Sequence, residues 1–193
     1  MNTLVLHCHP DPESFTATIR DRVVAALGSA RHDVRVTDLY ADDFDPVLSA
    51  DEHRDHLQPG ADPTVERHVA DLAWAEQLVL VYPTWWSGQP AMLKGWIDRV
   101  WVCGVAWDLP HGANRVRGRL HHLRRIVAVT THGSSKFVNA VEGEIGKRAV
   151  KRTLPALCSR RTRVRWVAMY RIDTAPADKR AAFLERVSRL LSR

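Results

Sequence analysis

Apolar and polar positions along this chain fall into blocks that switch between two periods. Thr3-Leu-Val-Leu-His7, Gln77-Leu-Val-Leu-Val-Tyr82 and Arg125-Ile-Val-Ala-Val-Thr-Thr131 are apolar without alternation. Such runs predict strands buried on both faces, as in a parallel sheet. Asp33–Leu39 alternates polar and apolar residues and predicts a strand nearer an edge, and Arg163–Tyr170 predicts a fifth strand. Helical blocks lie between them: Phe15–Leu27 ended by Gly28, a helix from Asp62 (N-cap) and Pro63 to about Glu76, another from Pro90, then Glu144–Cys158 and Pro176–Leu191. Tyr40–Leu57 reads as an acidic connection with a short helix after Ser49. In the helix from Pro90, Leu93, Trp96, Ile97, Val100 and Trp101 form one apolar face, which Ala91 and Met92 widen enough to leave room for subunit contact. Five strands alternating with helices predict an α/β fold: a five-stranded parallel sheet, order 2-1-3-4-5, between two helical layers.

A chain of 193 residues is most simply one domain, residues 1–193, large enough for a core and one pocket. No apolar run reaches membrane-spanning length, and the N-terminus enters a strand without a signal-peptide pattern. Three cysteines, with no Cys-x-x-Cys, point to a reducing cytoplasm and away from disulfides or zinc. The net charge of +6 conceals a division: residues 1–114 hold 8 Lys/Arg and 17 Asp/Glu, whereas residues 115–165 hold 14 and 2. That basic segment is either a solvated surface or an attractor of anions such as cofactor phosphates. No basic helix or zinc-finger pattern accompanies it, which argues against nucleic acid.

Three loops share the carboxyl edge of such a sheet, where ligands of open α/β sheets bind. The first, His7-Cys-His-Pro-Asp-Pro-Glu-Ser-Phe-Thr16, has no glycine, so a Gly-x-Gly-x-x-Gly dinucleotide turn is absent. It puts Ser14 and Thr16 at a helix start, where amides and hydroxyls hold phosphate or Ser14 serves as a plain N-cap. His7 and His9 share one side of an extended strand and Cys8 faces away, so a His-Cys-His metal site is disfavoured; a phosphate neighbour suits His9 better. The second, Pro83-Thr-Trp-Trp-Ser-Gly-Gln-Pro90, offers two indoles as a wall for a flat ring, or as core caps. The third, Thr130-Thr-His-Gly-Ser-Ser135, offers hydroxyls and amides to a heterocycle or a phosphate, or is a simple turn.

His-Pro-x-x-x-Ser-Phe, Tyr-Pro-x-x-Trp-x-Gly-x-Pro-Ala-x-Leu-Lys-Gly-Trp-Ile-Asp-Arg-Val and Thr-Thr-x-Gly, each after its strand, resemble the NAD(P)H:quinone oxidoreductases. These are flavodoxin-like flavoproteins that include DT-diaphorase, bacterial drug-activity modulators and the oxidoreductase ancillary to potassium-efflux channels. The resemblance covers about residues 2–135. It implies that His9, Ser14, Phe15 and Thr16 bind flavin phosphate, that Pro83, Thr84, Trp85 and Trp86 flank the isoalloxazine, and that Thr130, Thr131, His132 and Gly133 contact its polar edge. The animal enzymes' catalytic Tyr and His have no counterpart in Lys136–Gly143, and His132 stands where relatives often carry glycine. An anionic reduced flavin needs donors near its pyrimidine end, and the candidates are the backbone N–H groups of residues 131–133 and His132, the candidate catalytic residue.

The implied activity is two-electron, ping-pong hydride transfer from NADPH or NADH through flavin to a quinone-like acceptor. FMN is preferred to FAD, because no adenine-binding segment is recognisable. The resemblance also implies a homodimer with sites at the interface, and a loop around Gly112 directed at the neighbour. A one-electron flavodoxin carrier is disfavoured by the basic balance. A regulatory flavoprotein subunit docked on a potassium-efflux channel or other partner is the alternative.

Overall fold

The computed structural model describes residues 1–192. Its core is a five-stranded parallel sheet made of β1 (Asn2–His7), β2 (Asp33–Asp38), β3 (Gln77–Pro83), β4 (Arg125–His132) and β5 (Arg163–Tyr170), in the order β2-β1-β3-β4-β5. The expected order and sandwich are therefore present. All seven residues of β3 are buried, as its unbroken apolar run requires, whereas β2, at an edge, is largely exposed. A two-residue ribbon, Trp107–Asp108 with Arg117–Gly118, lies outside the sheet.

Alternation along the strands divides the core in two. Leu4, Leu6, Leu78, Leu80 and Tyr82 pack with α3 (Glu66–Trp74) and α4 (Ala91–Val100). Val5, Val79, Val81, Val127 and Val129 pack with α1 (Phe15–Ser29) and α7 (Ala177–Leu191). On α4, Leu93, Trp96, Val100 and Trp101 are buried as the stripe predicts, and Ile97 is half-buried. Arg99 is also buried, because it is the anchor for the acidic connection. Its Nε donates to Glu52 Oε1 at 2.7 Å, Nη1 to the Asp45 carbonyl at 2.6 Å and Nη2 to Thr64 Oγ1 at 2.9 Å. Glu52 lies in α2 (Ala50–Asp55), the short helix expected after Ser49, which closes a capping box with it.

Several boundaries differ from expectation. Gly28 lies inside α1, and the left-handed residue beyond the helix is Arg31 at φ 58°. Pro90 is extended and caps α4 from outside. Asp62 caps a 3-10 turn, Pro63–Val65, that leads into α3. The expected helix over 144–158 is broken into α6 (Ile145–Arg148), a π turn (Ala149–Thr153) and a 3-10 turn (Leu154–Leu157). Pro155 has no N–H to give, so the ladder cannot keep its α register there. A further helix, α5 (Lys136–Val141), is capped by Ser135, whose Oγ accepts from Val138 N at 3.2 Å. Among the described residues, no helix is long and apolar enough to cross a membrane.

Candidate functional site

At the carboxyl edge of the sheet the three loops converge on a cleft of about 680 Å³. The first contributes His9, Asp11, Ser14, Phe15 and Thr16, the second Pro83, Thr84, Trp85 and Trp86, and the third Thr131 and Gly133. The loop after β5 adds Ile172 and Asp173, and the first turn of α7 adds Arg180. Sequence reasoning missed these last three, although the end of β5 belongs to the same sheet edge.

The first loop is held by its own side chains. His9 Nδ1 accepts from Asp11 N at 3.0 Å, and Asp11 Oδ1 accepts from Glu13 N at 2.9 Å. Ser14 is the N-cap of α1, its Oγ accepting from Ala17 N at 3.1 Å. The amides of Phe15 and Thr16 head α1 without a partner inside the helix, and the dipole there favours negative charge. The Arg180 guanidinium lies 5.7 Å from the Phe15 ring and donates to the carbonyls of Ala175 and Ile172 at 3.1 and 3.2 Å. It brings a cation to the same end of the cleft.

The tryptophan turn is strained. Trp86 (φ 48°) and Ser87 (φ 61°) both occupy the left-handed region, and Trp85 and Gly88 exchange backbone hydrogen bonds at 3.2 and 3.0 Å. That is the geometry of a two-residue hairpin turn, which ordinarily selects Gly or Asn. The segment 142–146 holds it. Gly146 N donates to Ser87 O at 2.8 Å, Gln89 Nε2 donates to Gly146 O at 3.3 Å, and the Ser87 hydroxyl donates to Glu142. Trp86 is consequently 100 % exposed and Trp85 40 %. Backbone strain held this way is characteristic of functional sites.

His132 and Thr130 do not line the cleft. Thr130 is fully buried, and His132, the last residue of β4, points to the opposite side from Thr131. Its ring stacks on Tyr170 with centroids 4.6 Å apart, and Nδ1 lies 2.7 Å from Asn139 Oδ1. Asn139 spends its amide hydrogens on Ser134 Oγ and Ser135 O, so its Oδ1 accepts and His132 Nδ1 donates. Nε2 is then an acceptor, facing Thr84 Oγ1 at 3.3 Å. Thr84 Oγ1 also meets Thr130 Oγ1 at 2.8 Å. With its hydrogen directed at His132, Thr84 accepts from Thr130 and keeps a second lone pair. Burial pushes the His132 imidazole below its usual pKa, against the raising effects of Asn139 and the Glu144 and Glu142 charges.

Gly133 marks a close approach. A Cβ there would stand 2.7 Å from Asp173 Oδ2. The donor set suits a flat, phosphorylated heterocycle: paired indoles, a helix N-terminus with one guanidinium, and a side chain-free stretch between polar groups.

The family model for the flavodoxin-like fold matches residues 1–192. The uncharacterised NAD(P)H oxidoreductase YcaK of Escherichia coli (strain K12) is 36 % identical over 113 residues, 56 % of this chain and 58 % of its own. The chain spans 54–61 % of the length of the curated relatives it matches first. Among solved structures, Smu.1420 from Streptococcus mutans UA159 is 33 % identical with a TM-score of 0.86, covering 100 % of this chain and 99 % of that one. The NAD(P)H:quinone oxidoreductase from Methanothermobacter marburgensis, 24 % identical, shares the fold with a TM-score of 0.84, covering 100 % and 96 %.

Proposed function

This chain belongs to the flavodoxin-like family of the NAD(P)H:quinone oxidoreductases, and we propose that it is a flavin-dependent oxidoreductase passing two electrons from NADPH or NADH to a quinone-like acceptor, in ping-pong fashion. The observation that carries the reading is the convergence of three motif-bearing loops and Arg180 on one cleft. A flavin bound there supplies the two-electron chemistry. Ser14, Phe15 and Thr16 at the head of α1, with His9 and Arg180, hold its phosphate. Trp85 and Trp86 wall the ring, and Thr131 and Gly133 meet its polar edge. His132 is a positioning residue: neutral, it accepts from Thr84 and fixes that hydroxyl as an acceptor for a ring N–H. FMN is favoured over FAD.

The whole chain acts as one flavin-binding domain in a reducing cytoplasm. A homodimer fits the exposed apolar side chains beside the tryptophan turn, Trp86, Phe137, Val141 and Ile145. The purified protein is expected to be yellow, and heat should release FMN identifiable by absorption and mass. A colourless protein that takes up neither FMN nor FAD on titration would overturn the proposal.

A further inference from the structure

A second cavity, of about 850 Å³, opens at the opposite, amino edge of the sheet, where Arg124, Arg125, Arg161, Arg163, Arg165 and Leu190 line it. Register explains the crowding. Arg125 opens β4, and its partner across the ladder is Arg163, which opens β5. Arg165 follows two residues on, on the same face of the strand. Arg124 and Arg161 sit in the segments that lead into these two strands.

Several arginines outside this cavity meet carboxylates. Arg20, Arg22, Arg35, Arg67, Arg99 and Arg119 each have one at 2.6–3.0 Å. In this cavity the one ion pair among the described residues is Arg124 with Glu76, at 3.5 Å. Arg125 is half-buried and donates to the Leu190 carbonyl at 2.8 Å, and burial with the Arg165 and Arg163 charges pushes its pKa down. Among the described residues no carboxylate pairs with Arg125, Arg161, Arg163 or Arg165, so like charges gathered on two adjacent strands repel one another at a cost that a bound anion would reduce.

We infer that this cavity is a second anion site, separate from the flavin cleft, that takes a run of linked phosphates, either the polyphosphate of a nucleotide or an inorganic polyphosphate. The guanidinium fork matches phosphate oxygens. Five lining arginines, each with a guanidinium fork, offer more donors than the four oxygens of a single tetrahedral anion can accept in bidentate fashion. Leu190 and the buried Leu123, which also line it, give the cavity an apolar portion that suits a nucleoside.

The test is calorimetric titration of the purified protein with inorganic triphosphate and with ATP at low ionic strength. Wild type should bind triphosphate saturably, one per chain. R163Q/R165Q alters two exposed residues and should weaken binding at least tenfold. R115Q/R117Q removes the same charge from the same basic segment outside the cavity and should bind as wild type does. R161Q, in the preceding loop, repeats the test if the first double variant melts early. Tighter binding of ATP identifies a nucleotide, and equal binding identifies the phosphate chain alone; both support the site. The inference is overturned by absent saturable binding, by equal loss in both double variants, or by binding of single-stranded RNA without binding of triphosphate. None of these outcomes depends on whether the protein carries flavin.

Discussion

At the scale of single residues, His132 and Trp86 behave in opposite ways. Burial lowers the His132 pKa below 6.5. Above that value neither the folded nor the unfolded chain is protonated at this ring. As pH falls through 6.5 the unfolded chain takes up the proton first, so stability drains away until the lower folded value is passed. His132→Phe keeps the ring stack but removes the partner of Asn139 Oδ1 and of the Thr84 hydroxyl hydrogen, and should cost about 1–3 kcal/mol at pH 7.5. Its melting temperature should then fall less than that of wild type between pH 7.5 and 5.5. His7, His32 and His68 are depressed too, so the difference between the two curves isolates His132. Parallel curves would refute the assignment. Trp86, fully exposed and left-handed, contributes no burial and carries about 1–2 kcal/mol of backbone strain. Trp86→Gly should therefore melt no earlier than wild type while binding flavin at least tenfold more weakly, given about 1–3 kcal/mol per stacked ring in nucleic-acid systems. Trp166→Ala, at a half-buried position in β5, should show the reverse, destabilised with a smaller effect on flavin. Thermal melts and flavin titration of both variants decide it.

At the scale of elements, two glycines test the corrected boundaries. A Cβ on Gly95 of α4 would stand 2.2 Å from the Pro46 carbonyl oxygen, so the acidic connection lies directly on the helix. Gly95→Ala should cost more than about 3 kcal/mol in urea unfolding, because backbone rather than a flexible side chain must move. Gly28 has open space around it and lies within α1, so Gly28→Ala should stabilise by about 0.5–1 kcal/mol. The five strands were legible because unbroken apolar runs and alternation are strong local signals, and the short helix after Ser49 and the Asp62 cap were legible too. Local pattern did not reveal what long-range packing decides. The six residues of α5 are too few for a period, Arg99 is a polar residue buried by partners 35–54 positions away, and Arg180 reaches the cleft only through the docking of α7. The position of His132 outside the cleft lining has a simpler cause. The pattern ends the strand at Thr131, but β4 runs one residue further, and strand alternation turns His132 away from the ligand side.

For the whole molecule, the folded distribution of charge changes what the basic segment can do. Arg125, Arg163 and Arg165 begin their strands, so they stand at the amino edge, one strand length from the cleft. The eight residues of β4 span roughly 26 Å at about 3.3 Å each. At 0.01 M salt the Debye length is about 30 Å and the cluster is felt at the cleft, whereas at 0.1 M it is about 10 Å and the cluster is screened. Arg180 lines the cleft itself and is never that far from a bound phosphate. The rate constant for reduction by NADPH should therefore fall between 0.01 and 0.1 M salt and level off above. R163Q/R165Q should flatten the fall without changing the plateau, and Arg180→Gln should lower the plateau itself. Oxidation by a neutral quinone should change little with salt. Stopped-flow measurement of both half-reactions separates these contributions. A wild-type rate that keeps falling steeply above 0.1 M would assign the steering to charges nearer the cleft than the arginine cluster, because only contacts shorter than the screening length persist there.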